Sequence, residues 1–147
     1  MVIAIKDSSI DRYLMRTNVG DQILRDRGKL LLVGSCMDRY PNIVEELSER
    51  GTFEVLHICL EETHMNQAGF KIASIIKYAG ISDVAALTVD GSPHCVQLHY
   101  VIEDIKRHFA PEIITTHYVI EKGVVHEVSD DAVKRSRHLS KIQSMLE

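Results

Sequence analysis

The stretch KLLLVGSC, residues 29–36, decides the fold. Leu30, Leu31, Leu32 and Val33 form a short unbroken apolar run that ends at Gly34, and such a run reads as a strand covered on both faces. A strand of that kind needs helices above and below it. The sequence on either side supplies them. After Pro41 the stretch NIVEELSER has helical character and Gly51 stops it, and FEVLHICL, residues 53–60, is a second strand.

Residues 64–78 place Met65, Ala68, Ile72, Ile75 and Ile76 at helical spacing, with Thr63 as the expected N-cap and Gly80 as the stop. DVAALTV, residues 83–89, is a third strand that feeds a helix over 93–109, whose apolar stripe is Leu98, Val101, Ile102, Ile105 and Phe109. A fourth strand, EIITTHYVIE, turns through Lys122-Gly123 into VVHEV, a β-hairpin at one edge of the sheet. Ser129 with Asp130 and Asp131 then caps one last helix. Strands alternating with helices imply right-handed crossovers, so the expected class is α/β, a three-layer sandwich around a mostly parallel sheet. A flavodoxin-like 2-1-3-4 order is the natural arrangement. Residues 9–27 read as one broken helix or two short ones, interrupted at Asn18-Val19-Gly20 and packed on the outside, so residues 1–28 form an N-terminal helical segment on the α/β unit.

At 147 residues with no repeat, low-complexity tract or linker, a single domain over 1–147 is expected. Seventeen Lys and Arg against 21 Asp and Glu give a net charge of −4, which provides no positive field for a phosphate backbone. Nucleic acid is therefore not an expected partner. No apolar run approaches the length of a membrane span, and MVIAIKDSS lacks a secretory core, so a cytoplasmic protein without a membrane is expected, with homo-oligomers open. Three cysteines at long spacings leave free thiols rather than a disulfide framework.

Those thiols are the candidate site. Cys36 ends the first strand, Cys59 the second, and Cys95 follows the third, so all three fall at the carboxyl edge of a parallel sheet, where open α/β folds place ligands. In a 2-1-3 order the three strands are neighbours about 5 Å apart. Ser92 is a favoured N-cap and Pro93 a favoured first helical residue, which puts Cys95 in the first turn, where the helix dipole favours an anionic sulfur. His94 is a candidate fourth ligand, and Asp38 with Arg39 forms the polar wall of the site. Thiolate and imidazole together suit zinc or an iron–sulfur centre. No phosphate loop and no nucleophile elbow is present, and His99, His108, His117, His126 and His138 are taken as surface residues or satisfied partners.

Residues 29–109, with cysteines after three successive strands, Pro93 before the last and His99-Tyr100 echoing the motif's end, resemble the delta-subunit iron–sulfur domain of methyl-viologen-reducing hydrogenases. The third motif of that family runs Cys-His-Pro-Gly-Asp-Cys-His-Tyr; here Gly91 and Ser92 occupy the region of its first cysteine, and the additional cysteines are absent. The resemblance implies an accessory electron-transfer role beside an oxidoreductase partner subunit. A histidine or a second protein would complete the cluster. Cys36-Met37-Asp38-Arg39 is also similar to the Cys-x-Asp-x-Arg of β-carbonic anhydrases, with the arginine one residue early, which implies a zinc lyase or hydrolase. A third alternative is a small-ligand-binding or protein-interaction domain that uses the same cleft without a metal.

Overall fold

The computed structural model describes residues 12–147. Five strands, β1 (Lys29–Gly34), β2 (Glu54–Ile58), β3 (Asp83–Val89), β4 (Ile114–Glu121) and β5 (Val124–Val128), form one sheet in the order β2-β1-β3-β4-β5. The first four are parallel, and β5 folds back antiparallel on β4 to close one edge. The expected class, order and hairpin are all present.

Alternation along β1 explains the unbroken apolar run. Leu30 and Leu32 enter one core with Leu56, Ile58, Val84 and Ala86, while Leu31 and Val33 enter the opposite one with Val44, Leu47 and Val55. The first core lies beneath α1 (Gln22–Arg27), α3 (Met65–Ala79) and α4 (Pro93–His108), and the second lies beneath α2 (Pro41–Gly51). Gly51 closes α2 where a Cβ would meet the Phe53 ring at 2.0 Å. Gly51→Ala is therefore expected to displace Phe53 from the second core and to cost about 1–3 kcal/mol, read as a lower urea midpoint with an unchanged slope.

The N-terminal helical segment is present as two short helices, a 3₁₀ turn (Leu14–Arg16) and α1, whose Leu14 and Leu24 are fully buried. Ahead of them, Arg12 and Tyr13 lie along the free edge of β2, where the His57 N–H donates to the Arg12 carbonyl at 2.8 Å. Ser9 and Ile10 lie outside the described residues. The break at Asn18 is present, its side chain accepting from the Gly20 N–H.

Two sequence expectations are corrected. His64, not Thr63, caps α3: its Nδ1 accepts from the Asn66 N–H at 3.1 Å. The Thr63 N–H is already turned back onto the Cys59 carbonyl, and the Thr63 hydroxyl pairs with Tyr13 Oη at 3.0 Å. The C-terminal helix is two helices, α5 (Asp130–Ser136) and α6 (Leu139–Leu146). Arg137 sits between them, its guanidinium held by Asp104 at 2.9 and 3.2 Å and stacked over the Tyr100 ring, which fixes the chain to α4 at the break. Among the described residues no helix is long and apolar enough to cross a membrane.

Candidate functional site

Because β1 and β3 are neighbours, the turns that follow them share the carboxyl edge of the sheet. A 3₁₀ turn (Ser35–Arg39) carries Cys36 after β1, and α4 starts at Pro93 after β3. Ser92 caps α4, its Oγ accepting from the Cys95 N–H at 3.3 Å, as the Ser-Pro start predicts. That cap turns Cys95 toward Cys36, and the two sulfurs stand 3.8 Å apart. Gly34 lies beside the pair: the position a Cβ would take there is 3.6 Å from each sulfur, an ordinary contact distance.

The pair opens onto a cavity of about 230 Å³ lined by Gly34, Arg39, Cys59, Thr88, Ser92 and His94, among others. Cys59 thus shares the cavity but lies beyond the end of β2, in a turn whose Glu62 and Thr63 N–H groups donate to its carbonyl. His94 stands at the mouth with Nδ1 4.0 Å from a Glu61 carboxylate oxygen. Arg39 lines the cavity, whereas Asp38 is exposed and outside its lining. Of the residues singled out by sequence, the fold therefore joins two thiols directly and places Cys59, His94, Arg39 and Ser92 around them. Larger hollows lie elsewhere, including an apolar trough of about 730 Å³ between α3 and α4, away from the thiols.

The cleft keeps a proton on Cys36. Partial burial, and then the charge that a Cys95 thiolate would place beside it, push the Cys36 thiol up to about 11. Thiolate absorbance in a pH titration is accordingly expected to show one thiol that stays protonated through pH 10, and that step should vanish in Cys36→Ser.

A metal fits part of this donor set. Two thiolates on one tetrahedral ion, at a metal–sulfur bond of about 2.3 Å, are separated by about 3.8 Å, the spacing of an edge of the tetrahedron. The described residues contain no group of three or more His, Cys, Asp or Glu side chains placed to hold an ion. The four-ligand arrangement expected from Cys36, Cys59, Cys95 and His94 is thus represented by one edge.

Sequence reasoning missed a second polar cluster directly below the cleft. His99 and His117, taken as surface residues or satisfied partners, are 2% and 1% exposed. Thr88 Oγ1 lies 2.8 Å from His99 Nε2, His99 Nδ1 lies 2.8 Å from His117 Nδ1, and His117 Nε2 lies 2.6 Å from Glu103 Oε2. Burial, reinforced by His117 and opposed by Glu103, holds the His99 imidazole down at about 3, so it is neutral at physiological pH. Burial would raise the Glu103 carboxyl, but hydrogen bonds from His117 and Thr115 outweigh it and keep the group below the usual carboxylate range. One signal was available: Cys95, His99 and Glu103 recur every four residues, which puts them on one face of α4.

A family model for a Rossmann-like domain matches residues 22–146, a span that runs from the start of α1 to the end of α6. No curated protein and no solved structure matches the chain.

Proposed function

The chain belongs to the family of Rossmann-like domains, and from that premise we propose that it is a thiol redox module in which Cys36 and Cys95 cycle between dithiol and disulfide. The observation that carries the proposal is the 3.8 Å approach of the two sulfurs over Gly34, at the sheet edge where such folds bind ligands. A bond of about 2.05 Å brings those sulfurs less than 2 Å closer together.

The exchange balances with a disulfide as oxidant. A Cys95 thiolate at the start of α4 attacks one sulfur of a partner R–S–S–R′ and displaces R′S⁻. Cys36 then gives up its proton and attacks the Cys95 sulfur of the mixed disulfide, releasing RS⁻. The protein loses two electrons and two protons, and the partner becomes two thiols. An accessory role beside an oxidoreductase follows the same logic, since a dithiol at a cleft mouth can pass its two electrons to a partner disulfide.

The test is incubation with oxidised glutathione over a graded redox buffer, followed by alkylation and mass spectrometry. The expected product is a Cys36–Cys95 linked peptide with Cys59 alkylated, and Cys95→Ser should leave Cys36 without an internal partner. Free Cys36 and Cys95 thiols across buffers from about −300 to −150 mV would overturn the proposal. Iron and zinc content after purification without oxygen or chelators is the companion measurement. Near-stoichiometric metal would replace the dithiol reading with the metal-centred one that the hydrogenase-subunit resemblance implies.

A further inference from the structure

Apolar surface left outside the two cores gathers in two places. The first is the trough of about 730 Å³ between α3 and α4, lined in part by Phe70 and Phe109, whose rings are 79% and 60% exposed. Small residues keep it open: Gly69 and Ala73 stand one turn apart on α3, and a Cβ at Gly69 would lie 3.4 Å from Val101 of α4. The second is α6, in which no residue is buried; Leu139 and Leu146 are 80% and 77% exposed, and Met145 is exposed beside them.

α6 is a helix without a core of its own. Leu139, Ile142 and Leu146 recur at i, i+3 and i+7 and so share one face, the pattern of a helix that anchors in a groove. Against its own chain α6 meets α5 across a hollow lined by Asp131, Lys134, Arg135, Lys141 and Ser144, to which Met145 alone adds apolar surface. A helix of eight residues gains too little from its own hydrogen bonds to stand free in water, so its stripe calls for an apolar surface to lie on.

We infer that the trough receives α6 of a second copy of this chain, and that reciprocal exchange of the two helices makes a two-fold dimer. The inference does not depend on the thiol chemistry. Each chain supplies both halves of the contact, a stripe and a trough, as a two-fold interface requires. The area agrees. α6 is about 12 Å long and about 10 Å across, so half its girth covers about 200 Å², and the walls of the trough around it lose about 300 Å². Two such contacts remove about 1,000 Å² from water, the lower limit for a specific interface, and the expected product is a reversible dimer with a micromolar dissociation constant.

Charge favours one direction for the helix. α3 and α4 both cross between parallel strands and run the same way, and Lys77 and His108 mark the end of the trough where they finish. Glu147 stands at the corresponding end of α6. Seated in the direction of α3 and α4, α6 brings Glu147 to Lys77, whose contact with Glu112 is a long 3.7 Å between exposed groups. Asp104, the carboxylate of the trough lining, is already paired with Arg137 and does not oppose Glu147.

The experiment is sedimentation velocity of the full chain from about 1 to about 200 µM, a range that brackets a micromolar constant, with reductant present to exclude disulfide-linked pairs. Two variants break one half of the contact each. Leu139→Glu with Leu146→Glu charges the stripe, and Phe70→Glu charges the trough; all three positions are exposed, so the fold tolerates the changes. Each variant is expected to weaken the dimer by about 100-fold and to sediment as a monomer throughout. A stripe variant that still dimerises would mean pairing of trough with trough, a Phe70→Glu protein that still dimerises would mean pairing of α6 with α6, and either result overturns the inference. A benzophenone side chain at position 146, in a mixture of ¹⁴N and ¹⁵N chains, locates the contact. Mixed-isotope cross-links from position 146 to α3 or α4 are expected, and cross-links confined to one chain, the mark of α6 closing over its own trough, overturn the inference. Wild-type protein that stays monomeric at every concentration overturns it without any variant, and none of these results bears on the dithiol cycle.

Discussion

Acidification from pH 7 to pH 4 is expected to remove about 3 kcal/mol of stability through His99 alone, from its ordinary value of 6.5 and its folded value of about 3. The sign follows from the direction of the shift. The folded imidazole resists protonation, so below pH 6.5 the unfolded chain takes up a proton that the native state refuses. Stability is complete above that value, falls as pH drops through it, and levels off near pH 3, where native His99 also protonates. The whole excursion amounts to about 5 kcal/mol, comparable with the total stability of many domains of this size. Glu103 and Asp104, both held below the usual carboxylate range, add losses of the same sign at the acid end as they protonate. Urea midpoints between pH 7 and 4 measure the effect. His99→Gln, which cannot titrate, should start from a lower stability at pH 7 and show a flatter profile. Equal pH slopes in the two proteins would remove His99 as the cause.

The same histidine shows where the sequence stopped being readable. The sheet was legible because Leu30–Val33 and the runs at β2 and β3 must be covered on both faces, whereas the order came from the common arrangement of such folds and from no residue of this sequence. Cys36 and Cys95 fell side by side only once that order was assumed. The α4 cap was legible too, because Ser92 and Pro93 act locally. His99 was not, since it sits beside Leu98 and Ile102 in an apolar stripe, and only the neighbouring β4 provides the His117 that makes its burial tolerable. The break before α6 was hidden in the same way. It depends on Arg137 reaching Asp104, a partner 33 residues away that no local pattern announces. Local chemistry was readable, and pairings between distant polar residues were not.

Substitution at Gly34 is expected to separate the thiol chemistry from the fold. Gly34 is fully covered, in ordinary extended backbone at φ −63°, so its conformation does not demand glycine. What demands a small residue is the pair of sulfurs, each 3.6 Å from where a Cβ would stand. An alanine methyl meets them at normal contact distance, so Gly34→Ala should leave Cys36–Cys95 disulfide formation within a few-fold of wild type. Valine adds two methyl groups directed at the sulfurs and at Thr88, whose methyl is already 3.8 Å from that Cβ position. Gly34→Val should therefore wedge the thiols apart, and a displacement of about 1 Å between reacting atoms slows such a step by about 100-fold. Its cost in stability should be about 1–3 kcal/mol, that of overpacking one buried site. The graded response is the discriminating feature. If the pair were two cysteines that only fill space, both variants would change stability and neither would change a redox rate. If the pair reacts, rate and stability must part company at valine. Quenched-flow oxidation by oxidised glutathione, run on folded Gly34→Ala and Gly34→Val, reads the two quantities independently. A Gly34→Val protein that closes its disulfide as fast as wild type would show that the sulfurs do not meet over Gly34 when they react, and the proposed site would have to be abandoned.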